Sequence, residues 1–186
     1  MKWTIPYKDN KPLIHSVFSG LFYLLFCWSL EFGDSTKGSF MVLMIFLPGL
    51  TFPLTTSYYQ TEKISNADAR IIVHLIFSVA IYHGSVWLFS GEGQIKYITV
   101  LAGFSGSLLY LILTKYALQK KISFTQIILT ATFSGLAFLQ YEMNGREGLF
   151  MGLAVCLWTI ANGQLLNLEH KKELNSNDGS LSSGLS

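Results

Sequence analysis

Residues 13–30 read LIHSVFSGLFYLLFCWSL, eighteen positions without a Lys, Arg, Asp or Glu. Coiled as a helix at about 1.5 Å per residue, this run matches a hydrocarbon core about 30 Å thick. Five more runs of similar length follow, at 39–56, 71–89, 97–116, 122–141 and 149–168. Each is continuously apolar, whereas a lipid-facing barrel strand alternates apolar and polar residues over about ten positions. The expected fold class is therefore all-α: a polytopic membrane protein, a bundle of six transmembrane helices occupying residues 1–170. Little chain remains for a soluble domain of ordinary size, about 50 residues or more.

Hydrophobic residues make up 51% of the chain and charged ones only 13%, and the charges are gathered between the runs. Lys2, Lys8 and Lys11 precede the first run in the manner of a secretory signal. That run is too long for a signal core and continues into Glu31, Phe32 and Gly33 rather than a small-residue cleavage pattern, so it reads as an uncleaved anchor. With the amino terminus inside, ten basic residues fall on the cytoplasmic side (Lys2, Lys8, Lys11, Lys63, Arg70, Lys115, Lys120, Lys121, Lys171 and Lys172). Lys37, Lys96 and Arg146 fall outside, a strong positive-inside bias with both termini cytoplasmic. Pro48 and Pro53 interrupt the second run and raise a re-entrant alternative. If that segment failed to cross, every later loop would change sides and the bias would reverse, which favours six crossings.

The segment from 171 to 186, ending NSNDGSLSSGLS, has too few apolar groups to offset the entropy of ordering it and is expected to be a disordered cytoplasmic tail. A formal net charge of +2 with no long basic block argues against a nucleic-acid partner. The expected surroundings are the lipid bilayer of a bacterial cytoplasmic membrane, with a second copy or another membrane subunit as partner. Cys27 and Cys156 lie inside apolar runs and read as packing residues. Phe-Ser-Gly occurs at Phe18, Phe89, Phe104 and Phe133, where small residues would let helices approach closely.

Polar residues at membrane depth are costly and so are functional candidates. Counting inward along the third run, His74 lies about 6 Å from its start and His83 about 20 Å. The two are nine residues apart, on opposite helix faces, so they cannot share a metal; no metal or cofactor is expected. His74, Gln126, Asn162, Gln164 and Asn167 form a polar group toward the inner side, able either to line a cavity or to bond helix to helix. Pro48 and Thr51 in the interrupted second run are candidate ligand positions, because proline frees backbone carbonyls that transporters use for coordination.

Gly103-Phe104-Ser105-Gly106 resembles the Gly-x-Ser-Gly motif of rhomboid intramembrane proteases, also on a fourth of six helices. The resemblance implies a nucleophilic role for Ser105. That family takes its base from the sixth helix, yet 149–168 contains no histidine, and the second run lacks the family's histidine and asparagine. His83, at similar depth to Ser105 on the neighbouring run, is the alternative base of an intramembrane serine hydrolase. No Walker loop, His-Glu-x-x-His or intramembrane carboxylate pair is present, and the leading expectation is a non-enzymatic membrane protein, either a small transporter-like or channel-like unit or an accessory subunit of a membrane complex.

Overall fold

A computed structural model describes residues 7–31, 48–59, 64–90, 97–144 and 148–182. Among these every regular element is helical and there is no strand. A short 3-10 turn, Tyr7–Asn10, leads into α1 (Lys11–Glu31). Residues 48–56 form α2, followed by α3 (Ala67–Ser90), α4 (Ile98–Ala117), α5 (Phe124–Leu136), α6 (Leu139–Met143) and α7 (Gly148–Ser182). Among the described residues three helical stretches are long and apolar enough to cross a membrane: Lys11–Ser29, Ile98–Ala117 and Leu149–Asn175. Residues 39–47 of the expected second span, and Lys2, Lys37, Lys63, Lys96 and Arg146 of the charge count, lie outside the described residues.

The expected fifth span is not one helix. α5 ends at Leu136, and the chain turns through Ala137 and Phe138 before α6. The cause is local packing, since the Phe138 ring lies where a Cβ on Gly103 would stand, while Gly135 sits against the Val100 carbonyl and Phe104 of α4. The last helix is longer than the sixth run. At about 1.5 Å per residue α7 extends about 50 Å, well beyond a hydrocarbon core, and stays helical through the polar stretch to Ser182.

α7 stands at the centre of the bundle. On one side it meets α1 through glycines: a Cβ on Gly152 would come within 2.8 Å of Cys27 Cβ, one on Gly20 within 3.0 Å of Cys156 Sγ, and one on Gly163 onto Ser16. Both cysteines are free and buried in this seam. On the other side Trp158, Leu165 and Leu166 join Phe52, Tyr110, Leu111, Ile122 and Ile127 in the apolar core. Three of the Phe-Ser-Gly tripeptides sit at helix crossings, with Gly20 against α7, Gly106 against Ser85 of α3, and Gly135 against α4.

The outer surface is inverted relative to a water-soluble protein. Phe18, Leu21, Phe22 and Leu25 of α1, Ile72, Val73, Ile76 and Phe77 of α3, and Ile128, Leu129 and Phe133 of α5 are all exposed, at helical spacing. Ser16, His74, Ser78, Ser107, Thr114, Ser134, Thr159 and Asn162 are buried. Apolar stripes outward and hydroxyl and amide groups inward suit a solvent of hydrocarbon.

One end of the bundle collects cations. Arg70, near the start of α3, donates from Nη1 to the Ala117 carbonyl (3.1 Å), capping α4 where its dipole is negative. Lys115 donates to the Ile122 carbonyl and lies 5.0 Å from the Phe124 ring centroid. Lys120 donates to the Tyr59 carbonyl (2.9 Å) and pairs with Glu173 of α7 (3.0 Å), with its own side chain only 7% exposed. These contacts join the start of α3, the ends of α2 and α4, and the later part of α7 in one polar layer.

The α1–α7 seam makes a direct expectation. Gly152→Leu should lower stability by about 1–3 kcal/mol through overpacking, read as an earlier loss of the monodisperse peak when detergent-solubilised protein is heated. Gly84→Ala, whose added Cβ meets nothing within 4 Å, should leave that temperature unchanged.

Candidate functional site

The polar candidates separate into distinct networks. Asn162, fully buried on α7, is the hub of the first. Its Oδ1 accepts from Ser107 Oγ on α4 (2.7 Å), and its Nδ2 donates to Ser134 Oγ on α5 (3.0 Å) and to the Trp158 carbonyl one turn back (2.8 Å). Trp158 Nε1 in turn donates to the Gly103 carbonyl of α4 (3.2 Å). One amide thus ties three helices together.

His74 anchors the second network and is also fully buried. Thr114 Oγ1 on α4 already donates to the Tyr110 carbonyl (2.8 Å), so toward His74 Nε2 (2.9 Å) it acts as acceptor. The partners therefore select the neutral Nε2–H tautomer, with Nδ1 accepting from Tyr58 OH (3.1 Å). Burial first, and then the neighbouring Tyr110, raises the Tyr58 phenol above its ordinary value, which keeps it a neutral donor. The Tyr58 and Tyr110 rings both stand edge-on to the imidazole, each with its centroid 5.5 Å away. Tyr110 OH is hydrogen-bonded to Ser57 at the end of α2. His74 thereby binds α3 to α4 and to the segment after α2.

The other candidates stand elsewhere. Gln126 completes a capping box at the start of α5, its Oε1 accepting from the Ser123 backbone N–H (2.9 Å) while Ser123 Oγ accepts from the Gln126 N–H (3.2 Å). Asn167 donates to Asn10 Oδ1 (3.3 Å) beside the amino-terminal turn. Gln164 faces outward from α7 and is exposed. Pro48 is buried, and Thr51 Oγ1 is hydrogen-bonded to Tyr23 OH of α1. After Pro53, Thr55 and Thr56 turn their hydroxyls back onto the carbonyls of Thr51 (2.9 Å) and Phe52 (2.5 Å), so this segment is held by its own side chains.

Ser105, half-buried on α4, donates its hydroxyl proton to the Ala102 carbonyl of its own helix (3.2 Å) rather than to a base. His83 is half-buried on α3. The neighbours of Ser105 are packing contacts: Gly103 under Phe138, Gly106 against Ser85 and Ser107 on Asn162. No group of three or more His, Cys, Asp or Glu suited to a metal occurs among the described residues.

Sequence reasoning missed the aromatic and hydroxyl partners. Gly103, Ser107, Tyr110 and Thr114 repeat at four, three and four residues on α4, and all four are buried. That small and polar stripe is legible in the sequence as an inward-facing side of the helix. Tyr58, which lies between elements, carries no such periodic signal.

No protein-family model matches the chain, and no curated protein and no solved structure matches it either.

If Asn162 is glue, Asn162→Leu should destabilise the solubilised protein by about 1–2 kcal/mol by stranding the Ser107 and Ser134 hydroxyls. Asn162→Asp should cost more, because a carboxylate cannot donate to Ser134 or to the Trp158 carbonyl. Equal melting temperatures for wild type and both variants would remove Asn162 from its structural role.

Proposed function

We propose that this chain is a six-span membrane protein with both termini cytoplasmic and that it works as an assembly subunit, joining another transmembrane helix, rather than as a catalyst or a conduit. The observation that carries this reading is that Asn162 and His74 have their hydrogen bonds taken up by neighbouring helices. A substrate pathway or an active site needs polar groups held in reserve, whereas these two side chains are spent on holding helix to helix. Within its apolar stretch α7 presents Gln164 outward, on the same face as Leu157 and Leu168, both exposed.

An amide facing hydrocarbon gains a hydrogen bond when it meets a polar group on another helix, a contact of about 0.6–2 kcal/mol in a bilayer. The flanking leucines would supply the packing. The orientation is supported by Arg70, Lys115 and Lys120 standing at one end of the bundle, where anionic cytoplasmic lipid would receive them. The proposed location is the bacterial cytoplasmic membrane.

Cysteine labelling tests the topology. In intact cells a membrane-impermeant maleimide should modify Asn144→Cys and leave Gln119→Cys untouched, while the buried Cys27 and Cys156 stay silent. Labelling of Gln119→Cys with Asn144→Cys protected would invert the bundle. For the assembly role, native mass spectrometry of solubilised protein should give a complex heavier than one 20.8 kDa chain. Gln164→Leu should shift that complex toward the lone chain, and a wild type found only as a monomer would end the proposal.

A further inference from the structure

The outward stripes of α1, α3 and α5 are built of Phe, Leu, Ile and Val. Exposed hydroxyls within α1 and α5, such as Ser29 and Thr132, donate to carbonyls of their own helix, Phe26 (2.8 Å) and Ile128 (2.9 Å), and so ask nothing of a neighbour. Gln164 differs. It is exposed within the apolar part of α7, and its amide makes no hydrogen bond among the described residues. At about 100° per residue, Leu157, Ala161, Gln164 and Leu168 fall in a sector of the helix about 60° wide. Leu157 and Leu168 are exposed and Ala161 is half-buried. About one turn from Gln164, the small Ala161 lets another backbone come close.

Depth and chemistry together select the occupant of this face. Copies of one chain insert with one orientation, so a second α7 lies parallel to the first and carries its own Gln164 at the same level of the bilayer. A carboxamide holds both a donor and an acceptor. Two Gln164 amides facing one another across a two-fold axis therefore satisfy each other, each donating from Nε2 to the other's Oε1. A different protein would have to bring a polar group to a matching depth, whereas a second copy does so by construction.

We infer that the chain forms a parallel homodimer in which the two α7 helices cross at Ala161 and Gln164. This contact rests on the assembly role proposed for Gln164 and gives it a partner. Charge limits its extent. Along a fully parallel pair Lys171 and Lys172 would meet their own counterparts, and like charges oppose that approach. The two helices therefore part toward the lysines, and the contact stays within the apolar stretch.

The test is disulfide trapping of the full chain in isolated membranes, with copper phenanthroline as oxidant. Leu157→Cys should yield a band of two chains, whereas Leu129→Cys, on the outward face of α5, should not. Wild type should give no such band, because Cys27 and Cys156 are buried between α1 and α7. In mild detergent, a dilution series read by native mass spectrometry should show Gln164→Leu raising the dimer dissociation constant about tenfold, equivalent to about 1.4 kcal/mol. Gln164→Asn, which keeps an amide, should lie nearer to wild type. The side chain faces away from the core, so an unchanged melting temperature of the lone chain should accompany the weakened dimer. Equal trapping at positions 157 and 129, or an unchanged dissociation constant in Gln164→Leu, would overturn the contact. A heavier complex holding one copy of this chain and a different polypeptide would overturn the dimer and leave the assembly role standing. A lone chain at every concentration would overturn both.

Discussion

The carboxamide of Asn162 is the contact around which the bundle is organised. In a hydrocarbon solvent an amide without partners is costly, and association of helices draws little on the hydrophobic effect because lipid is as apolar as leucine. Hydrogen bonds between helices and close packing must then supply the specificity. Asn162 accepts from α4 and donates to α5 and to its own helix, so the rotation of α7 about its axis is set by one side chain. His74 does the same for α3 against α4, and its tautomer follows from the hydroxyl that Thr114 has already committed.

Close packing fixes the opposite side of α7. The approach to α1 is possible because glycines or small residues stand on both helices, at Gly20, Gly152, Gly163 and Ser16, with the two cysteine side chains filling the gaps. The same logic explains the break between α5 and α6. Gly103 and Gly135 let α4 and α5 come so near that Phe138 folds over the contact, and the helix does not continue straight. The polar layer from Arg70 to Lys120 and Glu173 then ties the ends of α2 and α4 to α7 with charged groups. These contacts commit the polar side chains of Asn162 and His74 to helix crossings.

The helical class and the membrane-length apolar runs of α1, α4 and α7 were legible from run length and continuity, because length in residues converts directly into thickness. The two cysteines as packing residues, and Ser-Gly as a crossing motif, were legible for a similar reason: small side chains have few other uses at that depth. The polar candidates were recognisable as polar but not as a set. Composition placed His74, Gln126, Asn162 and Gln164 near one level, while rotation about each helix axis distributed them to a tyrosine-threonine pocket, a helix cap, a three-helix junction and the outer surface.

By itself the sequence determined that the chain is helical, that its long runs suit lipid, and which residue types would be costly there, since these depend on local hydrophobicity and peptide hydrogen bonding alone. Tertiary structure decided which polar groups face one another, where the fifth run breaks, and that the Ser105 proton goes to the Ala102 carbonyl. Those outcomes depend on helix rotation and on distances between residues such as Ser107 and Asn162, 55 positions apart, which no periodicity within one helix encodes.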